Sequence, residues 1–104
     1  MKTYATISMN YKKAVARADE IEELADRLSN ISETKLEGLL GELSSAWRGD
    51  SADIFIQKGQ NLSEQITESA KKLYKTAETV RKIAQNNRQA DMQALEIATR
   101  RTYR

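Results

Sequence analysis

The chain has 104 residues, of which 31% are charged and 39% hydrophobic, and it contains no Pro, Cys or His. This length predicts one small domain, 1–104. Without Cys and His the chain lacks disulfides, thiolate nucleophiles, and the commonest general base and metal ligand. We therefore predict a protein that is not an enzyme and needs no cofactor and no metal. The missing Pro favours long uninterrupted helices.

The sequence contains no run that approaches the ~18 apolar residues of a membrane helix, so we expect no membrane insertion. The first residues, Met1–Ile7, carry a positive charge but no apolar core. If the protein is exported, we expect export without a cleaved signal peptide.

The net charge of +2 is unevenly distributed along the chain. Residues 1–70 carry 8 Lys/Arg and 12 Asp/Glu, whereas residues 71–104 carry 9 and 3. The basic C-terminal region leaves nucleic acid open as a partner. Cations near a helix C-terminus also complement the helix macrodipole without any ligand, so nucleic acid is the less favoured interpretation.

A first helix is predicted over about residues 8–46, with Ser8 or Asn10 as its N-cap. Apolar residues recur at 4-3-4-3 spacing, as in a helix seam: Ala14, Ala18, Ile21, Ala25 and Leu28. After Ile31 the phase shifts, and the spacing resumes with Leu36, Leu40, Leu43 and Trp47. We interpret residues 32–35 as a stutter in the seam. A helix break at that point, helped by Gly38 and Gly41, is the alternative.

The predicted turn covers residues 47–50, where Gly49 suits a positive φ and Asp50 or Ser51 suits a helix N-cap. A second helix is predicted over about residues 51–99. One of its faces has nearly regular 3-4 spacing: Ala52, Phe55, Gly59, Leu62, Ile66, Ala70, Leu73, Ala77, Val80 and Ala84.

These elements predict an all-α fold, an antiparallel two-helix hairpin. Folding the chain about Gly49 places an acidic run, Asp19 to Asp26, opposite Lys71, Lys72 and Lys75. Two helices enclose no core and the apolar stripe is wide, so we expect two chains to pair into a four-helix bundle. The residues predicted to form the hairpin and dimer interfaces are Leu28, Leu40, Leu43, Phe55, Leu62, Ile66, Leu73 and Val80.

The residues around the turn carry a specific pattern, Trp-x-Gly at Trp47-Arg48-Gly49 in the middle of about one hundred residues. Ala52 and Phe55 stand at the small and aromatic positions that usually follow it. On this motif the chain resembles the WXG100 family, the small Esx proteins of type VII secretion.

The resemblance implies a dimerising helical hairpin that a membrane ATPase-driven machine exports. Members of the family are secreted effectors, or pairing partners that escort larger toxins. The implied partners are a second copy, a related or larger toxin chain, and the type VII secretion ATPase. The implied location is outside the cell, with a cytoplasmic pool before export. A cytoplasmic helical adaptor or nucleic-acid-binding hairpin is the alternative.

The family's export signal has the form Tyr-x-x-x-Asp/Glu near the end of the second helix. Tyr74 and Glu78 match its spacing but lie in mid-helix, while Asp91 stands at the expected depth without the aromatic residue. An ordinary surface contact is the alternative for Tyr74 and Glu78, and a solvated surface residue is the alternative for Asp91. Similarly, Trp47 and Gly49 are expected either to pack only structurally or to form part of a docking groove for the secretion machinery.

Overall fold

The computed structural model of the chain describes residues 2–102, and its described residues form helices joined by one short turn. The first helix, α1, spans Tyr4–Asn30 and continues through a π-helical segment, Ile31–Leu36, into α2, Glu37–Ala46. After the turn, α3 runs from Asp50 to Thr102. No strand occurs in the described part of the chain, so the fold is all-α as predicted.

The first helix begins at Tyr4, earlier than the predicted start near Ser8. Thr3 precedes the first turn, and its hydroxyl accepts a hydrogen bond from the amide of Thr6 at 3.2 Å. Thr3 therefore fills the capping role predicted for Ser8 or Asn10, both of which lie inside the helix. At the other end, α3 continues past the predicted limit near residue 99.

The phase shift predicted at residues 32–35 coincides with the π-helical segment. Asn30 and Glu37 on its two sides both have right-handed helical dihedral angles. The helix therefore passes through the segment without the break that Gly38 and Gly41 suggested.

Contacts divide the chain into two compact units. The turn unit comprises Glu22–Tyr74, and within it the first helical arm and the start of α3 form an antiparallel helical hairpin. The terminal unit joins the N-terminal segment up to Ile21 to the part of α3 that starts at Lys75.

The turn unit is held together by a seam of small side chains. Ala25, Ala52 and Ala70 are at most 1% exposed, and Ser32 and Ser63 are buried with them. Leu40 is the large member of the seam, and it packs against Gly59, where an added Cβ would lie 2.5 Å from its Cδ2 atom. Small residues at heptad spacing let the two helix backbones approach closely, so the hairpin closes with little large apolar surface inside.

The terminal unit uses the same kind of seam, formed by Ile7, Ala18, Ala77 and Ala84. Two cross-helix ion pairs flank it. Arg81 donates to Asp19 at 2.7 Å, and Lys2 donates to Asp91 at 3.0 Å. No helix in the described part of the chain is both long and apolar enough to cross a membrane.

Candidate functional site

The turn consists of Trp47, Arg48 and Gly49. Trp47 takes an extended conformation, φ −129° and ψ 124°, and its amide donates to the carbonyl of Leu43 at 2.8 Å. Gly49 has φ +119°, and its carbonyl accepts the amide of Asp53 at 3.0 Å, the first bond of α3. The positive φ predicted for Gly49 is confirmed, but Gly49 rather than Asp50 or Ser51 precedes the first helical residue.

The conformation of Gly49 makes a substitution there strongly unfavourable. No atom lies within 4 Å of an added Cβ, so the requirement comes from the backbone and not from packing. We expect Gly49→Val to destabilise the fold by about 1–3 kcal/mol, because a β-branched residue is strained at this φ. Gly41→Val is the matched control. Gly41 is helical with open space around it, so its unfolding midpoint should hardly change. Equal urea midpoints for the two variants would contradict the conformational requirement.

The turn carries an exposed apolar cluster. The rings of Trp47 and Phe55 lie 5.9 Å apart between centroids, tilted by 52°. Trp47 is 42% exposed and Phe55 54% exposed, and Leu39 and Ile54 are exposed as well. Aromatic and aliphatic side chains in such a patch gain free energy when a partner covers them. Trp47 therefore packs only partly against the rest of the turn unit.

The larger apolar residues lie on one side of the hairpin seam. Directions around each helix axis are measured from a buried seam residue. The residue immediately before the seam residue is rotated by about 100° around the axis. The residue three positions after it is rotated by about 60° towards the same side. In two antiparallel helices these positions point to the same side of the pair. We call this side of the turn unit the apolar face; its members are Leu24, Leu28, Ile31, Leu39, Leu43, Phe55, Leu62, Ile66 and Leu73.

The opposite side of the seam is mostly polar, although Leu36 and Ile56 also lie four residues after a seam residue. Its positions, one and four after a seam residue, include Asp26, Ser29, Thr67 and Tyr74. The Tyr74 hydroxyl donates a hydrogen bond across the hairpin to Asp26. The two sides therefore differ in composition: large apolar residues predominate on the apolar face and polar residues on the opposite side.

The predicted interface residues divide into two groups. Leu40 is buried in the seam and therefore belongs to the hairpin itself. Leu28, Leu43, Phe55, Leu62, Ile66 and Leu73 lie on the apolar face, half-buried or exposed. Val80, three residues after Ala77, occupies the corresponding position in the terminal unit and is half-buried.

Two of the three candidate export-signal residues contact another side chain within their own unit. Tyr74 is bonded to Asp26, and Asp91 is paired with Lys2. Glu78 is exposed. The ion pairs in this region include Asp19 with Arg81, and Lys71 lies 3.7 Å from Glu68 on its own helix.

The hydrogen bond from Tyr74 to Asp26 raises the pKa of the Tyr74 hydroxyl above its ordinary value of 10.0. Because the pKa of Tyr74 is higher in the folded chain than in the unfolded chain, the hydrogen bond contributes its full stabilisation below pH 10. This stabilisation is lost as the pH rises through the folded-state pKa of Tyr74. In an absorbance titration of the phenolate, Tyr74 should ionise at higher pH in wild type than in Asp26→Ala. Identical titration curves would show that the bond does not form in solution.

Two polar features of the structure were not predicted from the sequence. Ser32, Ser63 and Thr67 form a hydrogen-bonded cluster in the seam, with oxygen separations of 2.7–2.8 Å. In the terminal unit, the Arg88 guanidinium lies 4.8 Å from the centroid of the Tyr11 ring. The heptad spacing of Ala25 and Ser32 was the signal that could have located the first of these. Among the described residues, no group of three or more acidic side chains is arranged to hold a metal ion.

The fold and its surface define a small helical protein with an apolar face and an exposed Trp-x-Gly turn. The family model described as WXG100, proteins of 100 residues with WXG, matches residues 6–92. The chain therefore belongs to the WXG100 family. Comparison with curated proteins and with solved structures gives no significant match.

Proposed function

We propose that this protein is a non-enzymatic substrate or pairing partner of a type VII secretion system and that it acts through helix–helix interaction. Membership of the WXG100 family supports this role. The main structural support for the proposal is the distribution of apolar residues. Among the described residues, the buried hydrophobic ones are six alanines, Ile7 and Leu40, whereas eleven large hydrophobic side chains are exposed. A core this small stabilises a hairpin poorly on its own, so a partner must cover the apolar face.

The charges favour a second copy of the chain as the partner, and the two copies together form a four-helix bundle. The turn unit has six Lys/Arg and ten Asp/Glu, a net charge of −4. The remaining residues have eleven and five, a net charge of +6. The opposite net charges of the two units favour association of the turn unit of one copy with the terminal unit of the other. A related or larger toxin chain with the same apolar and charge pattern fits the same face.

In this proposal the protein is made in the cytoplasm, pairs there, and is exported by the secretion ATPase without a cleaved signal peptide. The exposed Trp47 and Gly49 turn forms the docking feature, together with the helix end of the paired chain. Tyr74, Glu78 and Asp91 remain candidates for the export signal.

The export role is tested with Trp47→Phe, which keeps most of the apolar volume and removes the indole shape and N–H. If the turn docks onto the machinery, the variant stays a folded dimer in the cytoplasm and its amount in the culture medium falls strongly. Arg48→Ala, at the neighbouring exposed position, is the control and should be exported normally. Full export of Trp47→Phe would refute the docking role.

The alternative of a nucleic-acid-binding hairpin rests on the +6 charge of the terminal unit. It predicts a DNA mobility shift that weakens steeply as salt is raised. Such a shift, together with the absence of the protein from the medium, would favour this alternative over secretion.

A further inference from the structure

The first helical arm, which consists of α1, the π-helical segment and α2, contains one residue more than seven-residue spacing of its seam requires. Ala25 and Ser32 are seven residues apart, whereas Leu40 follows Ser32 by eight. In an uninterrupted α-helix this extra residue would rotate everything after Ser32 by about 100° relative to the seam. In the structure, the amide of Glu37 donates to the carbonyl of Ser32, five residues earlier. This π-type bond absorbs the extra residue and returns Leu40 to the seam.

The same bond determines where the apolar side chains after the segment point. Leu39 and Leu43 stand one before and three after Leu40, as Leu24 and Leu28 stand around Ala25. Both pairs therefore lie on the apolar face. Without the π-helical segment, Leu39 and Leu43 would turn away from the line that Leu24 and Leu28 define, and the face would be split in two.

The Ser32 hydroxyl has three oxygen partners inside the seam. It donates to the carbonyl of Ser63 at 2.8 Å. The hydroxyl oxygens of Ser63 and Thr67 lie 2.7 and 2.8 Å from the Ser32 hydroxyl oxygen, within hydrogen-bonding distance. The Ser63 hydroxyl also lies 3.4 Å from the Ser32 carbonyl oxygen and 3.4 Å from a Glu37 carboxylate oxygen. Ser32 is fully buried and Ser63 is 3% exposed. Moving any of these hydroxyls out of register would leave buried polar groups without partners.

We propose that the Ser32 hydroxyl cluster anchors the π-helical segment and thereby keeps the two halves of the apolar face in one line for the partner chain. Without such an anchor, the position of the π-type bond could shift along the helix, because each shift by one residue only replaces one i→i+5 hydrogen bond with another. A shift towards the N-terminus would replace Ser32 in the seam by Glu33. The cluster opposes this shift, because the shift would move the Ser32 hydroxyl away from the Ser63 and Thr67 hydroxyls.

This inference rests on the proposed pairing function, and its first test is the affinity of the dimer. We expect Ser32→Ala to raise the dimer dissociation constant by about tenfold or more, since the exposed leucines no longer hold one alignment. Thr34→Ala is the matched control in the same segment. Thr34 is exposed, and its variant should stay within about twofold of wild type.

A deletion of Thr34 separates anchoring from simple stabilisation. Removing one residue restores seven-residue spacing between Ser32 and Leu40, so a plain α-helix then holds both halves of the face in line. The deletion variant should dimerise as wild type does, and adding Ser32→Ala to it should change the dissociation constant by no more than about twofold. An equal loss of affinity from Ser32→Ala in both backgrounds would overturn the proposal.

Hydrogen exchange gives a readout that does not depend on pairing. The Glu37 amide should exchange at least about tenfold faster in Ser32→Ala than in wild type, relative to the amide of Ala70 on the other helix. An unchanged ratio would show that the cluster does not anchor the segment. If the wild-type chain proves monomeric, the pairing function fails, and this ratio still decides whether Ser32 holds the π-helical segment.

Discussion

Leu73→Asp is expected to convert the dimer into a monomer that is still largely helical. Leu73 lies on the apolar face, three residues after the seam residue Ala70, and is half-buried in the single chain. In a four-helix bundle the new carboxylate would be buried without a partner, which costs about 3–5 kcal/mol. The dimer dissociation constant should therefore rise by at least about a hundredfold, as measured by sedimentation equilibrium.

The control for this substitution is Gln65→Asp. Gln65 is exposed on the same helix, two residues after Ser63, and points away from both the seam and the apolar face. This variant should dimerise as wild type does. A Leu73→Asp protein with unchanged dimer affinity would show that the apolar face is not where the chains meet.

Ala70→Asp should have an even larger effect, because it disrupts the hairpin itself. Ala70 is 1% exposed in a seam where the two backbones approach closely. An aspartate there both overfills the seam and buries a charge, so we expect a loss of about 3–5 kcal/mol or more in the free energy of unfolding. A small domain has little more than that to lose, and the helical circular dichroism signal should collapse at room temperature.

Ser69→Asp offers the direct comparison, since Ser69 precedes Ala70 and is exposed. That variant should keep its helical signal in the single chain. If Ala70→Asp melted at the same temperature as Ser69→Asp, the small-residue seam would not be the core of the turn unit.

The helices, the turn and the positive φ of Gly49 followed from the sequence because their signals are local. Apolar spacing near 3.5 residues, the missing Pro and a central glycine each act within a few residues of the chain. The N-terminal boundary was wrong because Ser8 and Asn10 are as good caps as Thr3, and nothing in the local sequence separates them.

Spacing alone could not show which residues of the wide apolar stripe are buried in the seam and which form the apolar face. Ala70 and Leu73 both belong to the predicted stripe, yet only Ala70 is buried in the seam. Which member of such a pair faces the neighbouring helix depends on how closely the two backbones approach, a property of the packed pair and not of either helix. The same holds for Ser32, whose hydroxyl partners are 31 and 35 residues away along the chain.

The central claim is that a second copy of the chain covers the apolar face, and the most direct test is the mass of the wild-type protein in solution. Light scattering at micromolar concentration should give about twice 11.8 kDa. Raising the salt concentration should weaken the pair, because the acidic turn unit and the basic terminal unit attract each other less when screened. A mass of 11.8 kDa for a protein that is still fully helical would contradict the claim.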